Sequence, residues 1–554
     1  MKLTKILFIT FALVPMAVSG QYQSKVWNPD NGDGTYTNPV LNADYSDPDV
    51  CAVGDDFYLT ASSFNCIPGL PLLYSKDLVN WRIINHALQE QIPTAFYNRP
   101  QHGKGVWAPS IRYHDGEFYI YWGDPDHGVM MVKTSDPYGE WEAPVCVIKG
   151  KGLIDTCPLW DDDGRCYLVN AYAASRMHIN SVLMVRELSA DGTKAIGNPT
   201  IVFDGNINGN FTSEGPKFYK KDGFYYIMWP AGGVEAGWQM CARSKSPFGP
   251  YEYRRVLDKG KSSVNGPHQG GWVHTAMGED WFLHFQDKGC YGRVVHLQPL
   301  AWKDGWPVIG IDKDGDGVGE PVAKFTKPKT QAHIANENPL ESDEFSSPHL
   351  GLQWQWHANY QEWYGMPTAE GFFRLFTNKL SEKDNLFAAP NLLLQKTPAD
   401  VFTATAKVRF AAKAEGQWGG LLMMGRDYSA LIVRRVEDRF ALQQVTCKNA
   451  DKEGTEIIET IKTLKPTSRD EVTYKPALYM DIYLRLHVDK GGKTTFSYSL
   501  DDKHYKKCGK PFQMREGVWI GGKIGFCAEE PAKDANDKIT DKGFLDIDWF
   551  RIGQ

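Results

Sequence analysis

Three carboxylates stand at matching places along this chain, each ahead of a proline and a short apolar run. Asp47 lies in Asn42-Ala-Asp-Tyr-Ser-Asp-Pro-Asp-Val50, Asp155 in Ile154-Asp-Thr-Cys-Pro158 and Glu214 in Ser213-Glu-Gly-Pro216. Each alone has an ordinary reading. Asp before Pro favours turn initiation, and Asp155 admits the same explanation. Glu214 is harder to dismiss, because glutamate is depleted where strands begin. Trp107-Ala108 and His268 hold the corresponding places in two further segments. His268 by itself would be structural; the shared position is what coincidence would have to explain repeatedly. Two carboxyls facing each other across a pocket can hydrolyse a glycosidic bond: one protonates the leaving oxygen, and the other attacks the anomeric carbon or activates a water. A third nearby can raise the acid's pKa by like-charge repulsion and help orient it. Asp44 and Asp49 have no counterparts in the other segments and read as local supports.

Such convergence needs a repeating scaffold, and the sequence supplies one. Residues 48–59, 109–120, 158–168, 216–227 and 270–283 each read as a strand, a Gly/Asp turn and a second strand rich in Tyr, Phe or Trp, which is a hairpin signature. Further strands follow, as in 71–81, 129–141 and 239–251. Four-stranded units at a period of roughly 50 to 60 residues, with almost no helical periodicity between them, are propeller blades. Five copies predict a five-bladed β-propeller over 21–325, in which the first strand of every blade lines the axis and the strand starts meet at one rim. A solenoid or a plain sandwich is the alternative.

The same segments carry a family resemblance. Tyr45-Ser-Asp-Pro-Asp-Val50, Val106-Trp-Ala-Pro-Ser-Ile-Arg-Tyr113, Ile154-Asp-Thr-Cys-Pro-Leu-Trp160 with Asp161-Asp-Asp-Gly164, Ser213-Glu-Gly-Pro216, Tyr291-Gly-Arg293 and Trp302-Lys-Asp-Gly-Trp-Pro307 resemble the signature blocks of glycoside hydrolase family 43, in order and spacing. The resemblance implies an inverting mechanism with Asp47 as general base, Glu214 as general acid and Asp155 as the residue that tunes the acid. It also implies that Arg293 and His268 contact the terminal sugar, while Trp107 and Phe64 form its apolar wall. Inversion leaves room for a water, so the base and acid carboxyls are expected roughly 6.5–9.5 Å apart.

Beyond a polar, proline-containing linker at 326–341, strands resume at 402–410, 419–424, 430–436, 441–445, 479–488, 494–500, 520–526 and 544–552. They predict a β-sandwich of jelly-roll type over 342–554, so the chain as a whole is all-β. Its entry, Asp343-Glu-Phe-Ser-Ser-Pro348 through Leu352-Gln-Trp-Gln-Trp356, resembles the concanavalin-like domain that accompanies β-xylosidases of that family. It holds no recurring carboxylates and reads as a support that shapes the pocket mouth.

Sixty-one basic and sixty-seven acidic residues leave a net charge of −6, which offers no footprint for nucleic acid or an anionic membrane. A neutral partner is therefore expected, and the resemblance implies that it is an oligosaccharide or polysaccharide. Two lysines, an apolar run at 6–18 and small residues up to Gly20 read as a signal peptide over 1–20, which predicts a periplasmic or secreted protein without membrane insertion. None of the ten cysteines forms a CxxC pair, so mostly free, buried thiols are expected. No cofactor is required for the chemistry. Asp312, Asp314 and Asp316 alternate around a glycine like the start of a calcium loop, although residue 323 is Ala where the closing Glu belongs; the choice is between a solvated turn and a structural calcium site.

The companion domain points to an exo-acting enzyme that removes terminal β-D-xylose or α-L-arabinofuranose from plant cell-wall polysaccharide or oligosaccharide such as xylan or arabinoxylan. The alternatives are an endo-acting arabinanase, which needs an open groove, and a non-catalytic carbohydrate-binding propeller, against which the three acids argue. Retaining fructosidases share the propeller, but their Asn-Asp-Pro and Arg-Asp-Pro blocks are absent.

Overall fold

A computed structural model describes residues 22–331, 333–380, 384–470, 477–531 and 541–554. The expected signal peptide at 1–20 lies outside the described residues. Five antiparallel four-stranded sheets form the N-terminal part. Blade 1 is Asp49–Val53, Asp56–Thr60, Gly69–Ser75 and Arg82–Leu88; blade 2 is Trp107–His114, Glu117–Asp124, Gly128–Thr134 and Val145–Lys149. Blade 3 is Leu153–Trp160, Cys166–Tyr172, Val182–Leu188 and Thr200–Asp204; blade 4 is Lys217–Lys221, Phe224–Ala231, Trp238–Ser244 and Glu252–Leu257. Blade 5 is His268–His274, Asp280–Asp287, Arg293–Lys303 and Trp306–Ile309.

Local sequence dictates the hairpins. Asp115-Gly116, Asp222-Gly223 and Asp304-Gly305 all have positive φ at both residues, the two-residue turn whose twist matches that of the flanking strands and which Asp-Gly adopts at little steric cost. The second strands are apolar on both faces, as in Phe224–Ala231 with the burial pattern iBBBBBBB, because each blade packs between two others. The ring is drawn shut by Thr35–Thr37, which pairs with Lys324–Thr326, and by Leu41, which bridges to Val295 of blade 5.

The second part is a sandwich of an eight-stranded and a seven-stranded sheet. Leu478–Asp489 alternates strictly, BiBiBiBiBiBe, and sends Leu478, Met480, Ile482, Leu484, Leu486 and Val488 into one core. The segment read as a linker is pinned rather than free. Lys327 is ion-paired with Asp30 and Asp77, and Asn338 exchanges hydrogen bonds with Tyr22 and Ser24. The two parts also share main-chain bonds: Ile67 and Trp356 donate to each other's carbonyls at 2.9 and 2.6 Å. None of the ten cysteines is disulfide-bonded; six are buried and Cys146 is exposed.

Candidate active site

The backbone at the rim explains how the blades aim their side chains. Asp47, Ala108, Asp155, Gly215 and Gln269, one per blade, all have φ between 35° and 61°. Four of the five are not glycine, so the left-handed conformation costs of order 1–3 kcal/mol at each and is held by its surroundings. In blades 2, 3 and 5 the ladder slips where this residue sits, between Trp107 and Ser110, Ile154 and Cys157, and His268 and Gly270. The extra residue re-aims the neighbouring side chains toward the axis. This corrects the register read from sequence: Asp47 and Asp155 occupy the left-handed position itself, whereas Trp107, Glu214 and His268 stand one residue before it.

Asp47, Phe64, Trp107, Ala108, Ile154, Asp155, Glu214, Gln269, Arg293 and Trp519 line one pocket. Six of the seven residues expected at the site are thus brought together. His268 is the exception. It was expected to touch the sugar, but it is fully buried, and its Nε2 lies 3.0 Å from Glu214 Oε1. It supports the carboxylate from behind instead.

Asp47 Oδ2 accepts hydrogen bonds from Ser46 Oγ (2.8 Å) and Ser62 Oγ (2.6 Å). Its Oδ1 faces Arg293 Nη1 at 3.4 Å, and the same Nη1 donates to Ser46 Oγ at 2.8 Å. Ser62 also accepts from the Ala108 amide at 2.8 Å, which ties the rims of blades 1 and 2 together. Asp155 Oδ2 accepts from the Gly215 amide at 2.7 Å. Burial first, then the charges of Glu214 and Asp47, push the Asp155 carboxyl well above the ordinary carboxylate range. Asp155 thus feels the charges of both other carboxylates that line the pocket.

Beneath the pocket the axis is filled rather than open. Asp49 accepts from Arg112 Nη1 at 2.6 Å and from the Ile111 amide at 2.9 Å, while buried Lys217 donates to the Pro109 carbonyl at 3.1 Å. Asp49 is thus a support, as its lack of counterparts suggested. Asp44 is another: it accepts from the Arg293 amide at 2.9 Å and, across the domain boundary, from the Gly521 amide at 3.0 Å. The two segments meet so closely there that a Cβ on Gly521 would fall 2.5 Å from the Tyr291 carbonyl oxygen.

That contact delivers a pocket residue from the second domain, which, like Ile154 and Gln269 of the propeller, the sequence did not single out. Trp519, from the sandwich, stands 6.2 Å from Trp107, and the Arg293 guanidinium lies 5.8 Å from its ring centroid. Its only sequence signal is a tryptophan inside the glycine-rich run Gly517-Val-Trp-Ile-Gly-Gly522.

The carboxylates of Asp312, Asp314 and Asp316 approach within 4.8 Å of one another and have the oxygen chemistry that calcium takes. Asp312 already caps the amides of Gly315 and Gly317, and Asp316 that of Val318. None of the three lines the pocket. Among the described residues, no helix is long and apolar enough to cross a membrane.

Comparison with known proteins agrees with this geometry. The family model described as glycosyl hydrolases family 43 matches residues 36–307, and that of the β-xylosidase C-terminal concanavalin A-like domain matches 342–553. The chain is 36% identical over 507 residues to a putative β-xylosidase of Xylanibacter ruminicola, covering 91% of this chain and 88% of the relative. It is 30% identical over 467 residues to the non-reducing end α-L-arabinofuranosidase BoGH43B of Bacteroides ovatus, covering 79% and 84%. Among solved structures it resembles the GH43 BlXynB protein of Bacillus licheniformis, with a TM-score of 0.76 and 26% identity over 94% of this chain and 99% of the other.

Proposed function

The chain belongs to glycosyl hydrolases family 43, and from that premise we propose that it removes single terminal β-D-xylosyl or α-L-arabinofuranosyl units with inversion at the anomeric carbon. One observation carries this reading: the pocket that gathers Asp47, Asp155 and Glu214 is walled on one side by Trp519 from the sandwich. A wall beside the acids suits a chain end, whereas internal cleavage needs a groove open at both ends.

The terminal pentose lies between the rings of Phe64, Trp107 and Trp519, whose flat apolar faces suit its C–H face. Glu214, braced by His268, donates its proton to the glycosidic oxygen as the bond breaks. Asp47 takes a proton from the water that attacks C1 from the opposite face, and its serine and arginine partners fix the carboxylate for that attack. Asp155, coupled to Glu214 through charge, tunes the proton affinity of the acid and helps orient it. Release of the inverted sugar and exchange with solvent restore both carboxyls.

The test is turnover of nitrophenyl β-D-xyloside, nitrophenyl α-L-arabinofuranoside and linear arabinan by the purified protein. Free monosaccharide from the aryl glycosides supports the reading; internal cuts in arabinan would replace it with an endo-acting one, and binding without turnover with a carbohydrate-binding propeller. Export is a second part of the proposal, supported by the lysines, apolar run and small residues of 1–20; a mature N-terminus near Gln21 in protein recovered from cells checks it. A calcium ion at Asp312, Asp314 and Asp316 would be structural, and it would show as a rise in melting temperature on adding calcium.

A further inference from the structure

Within each blade the chain runs down the axial strand and back, so the turn between the second and third strands lies on the same face as Asp47 and Glu214. The connector to the next blade lies there too. Residues 173–181 of blade 3, the connector 205–213 and residues 232–237 of blade 4 all belong to this face. These loops carry an unusual load of bare apolar surface: Met177 is 37% exposed, Ile179 42%, Phe211 57% and Ile207 84%. Side chains of this kind on one face mark a contact surface.

The loops are tied down rather than loose. Ser181 accepts the Gly205 amide at its carbonyl and the Thr212 amide at its hydroxyl, both at 2.7 Å, and the Gly232 amide donates to the Phe211 carbonyl at 2.8 Å. Phe211 stands edge-on to Trp238 at 6.1 Å, and Trp238 Nε1 donates to Asn210 Oδ1 at 3.1 Å. A ring held this way loses little freedom when a ligand covers it, and preorganisation is the usual source of affinity at such a site.

Its place in the chain fixes the side of the pocket it serves. Phe211 precedes Glu214 by three residues, and the acid stands where the leaving group departs. Beside the pocket the Arg176 guanidinium lies 5.6 Å over Trp107, held by Asp126 at 3.1 and 3.2 Å. A rigid donor beside apolar and aromatic surface suits a neutral sugar chain, with hydroxyls at its edges and C–H groups on its faces. We propose that the mouth-face loops of blades 3 and 4 form a leaving-group platform on which Phe211 stacks the second sugar beyond the cleaved linkage, matching the enzyme to pentosyl oligosaccharides rather than to disaccharides. This rests on the exo-acting reading above and extends it to the leaving side.

The experiment compares kcat/KM on nitrophenyl β-xyloside, xylobiose, xylotriose and xylotetraose for the wild type, Phe211→Ala and Phe211→Tyr. The wild type should gain with chain length. Phe211→Ala should lose roughly five- to tenfold on xylotetraose, the scale of one aromatic contact, and far less on the aryl glycoside. The loss should fall in KM, and Phe211→Tyr should recover it. Equal losses on all four substrates, or none on xylotetraose, would overturn the platform while leaving the exo-acting reading intact. A wild type that cleaves none of them would sink that reading first, and the platform with it.

Discussion

Replacing Trp519 by alanine isolates what the sandwich contributes to the pocket. Trp519 is 50% exposed, so about half of its roughly 250 Å2 surface, on the order of 125 Å2, is free for a sugar to cover. At about 25 cal/mol per Å2, covering half to all of that area contributes about 1.5–3 kcal/mol, or a fall of roughly 10- to 150-fold in kcat/KM when the ring is removed. The fold should hardly notice. The ring already faces solvent on one side, and alanine inherits the same left-handed backbone, φ 65°, so no new strain is introduced. The assay is kcat/KM on nitrophenyl β-xyloside and α-arabinofuranoside beside a thermal melt of the same preparation. An unchanged kcat/KM would show that the sugar never meets Trp519. A kinetic loss matched by a fall of many degrees in melting temperature would show that the ring holds the domains together instead.

Glu214→Gln should lose at least a hundredfold on xylobiose but much less on aryl glycosides with good leaving groups, which need no acid; equal losses on both would remove it as the acid. Asp47→Ala should be inactive on either class, because water activation is lost whatever leaves, and residual aryl turnover near the wild-type rate would exclude it as the base. For Asp155 the sign follows from burial. Its folded carboxyl is raised above the ordinary value, so it costs nothing at low pH, where it is protonated folded or unfolded; the cost grows as pH rises from the ordinary value toward the folded one and is complete above it. Asp155→Asn should therefore melt higher than wild type at pH 7, with the gap closing below about pH 4, while its activity falls and its pH profile shifts; a lower melting temperature at pH 7 would contradict this. Ser62→Ala strips Asp47 of a donor and the Ala108 amide of its acceptor, and should cost about 1–3 kcal/mol by denaturant unfolding; a neutral effect would place a water there.

The propeller was legible because repetition amplifies weak local signals. One Asp-Gly turn between aromatic strands means little, but several at a common spacing fix the blade number, the strand order and a common rim. Asp47, Asp155 and Glu214 could then be grouped although they are far apart in sequence. The register was less legible. The left-handed residue at the rim of each blade is Asp, Ala, Asp, Gly and Gln in turn, with no side-chain type in common, so alignment on the hairpin turns placed Trp107, Glu214 and His268 one residue out. His268 was misread for a related reason: sequence can bring a residue to the rim but cannot say whether it faces the cavity or the back of Glu214. Trp519 was invisible as a site residue because a remote loop of another domain supplies it, and the Asp44–Gly521 bond that docks this loop has no local trace. The linker at 326–341 is polar and unpatterned in sequence, which gives no sign of the ion-pair cluster around Lys327 that holds it.

Inversion requires Asp47 and Glu214 to act from opposite faces of the sugar with a water between. Proton NMR of the first minutes of aryl β-xyloside or α-arabinofuranoside hydrolysis tests this directly, before mutarotation mixes the anomers. Inversion predicts that α-xylose, or β-arabinofuranose, appears first and the other anomer only later. First appearance of the retained anomer would mean that Asp47 attacks the sugar itself, and the water-activating role assigned to it would be wrong.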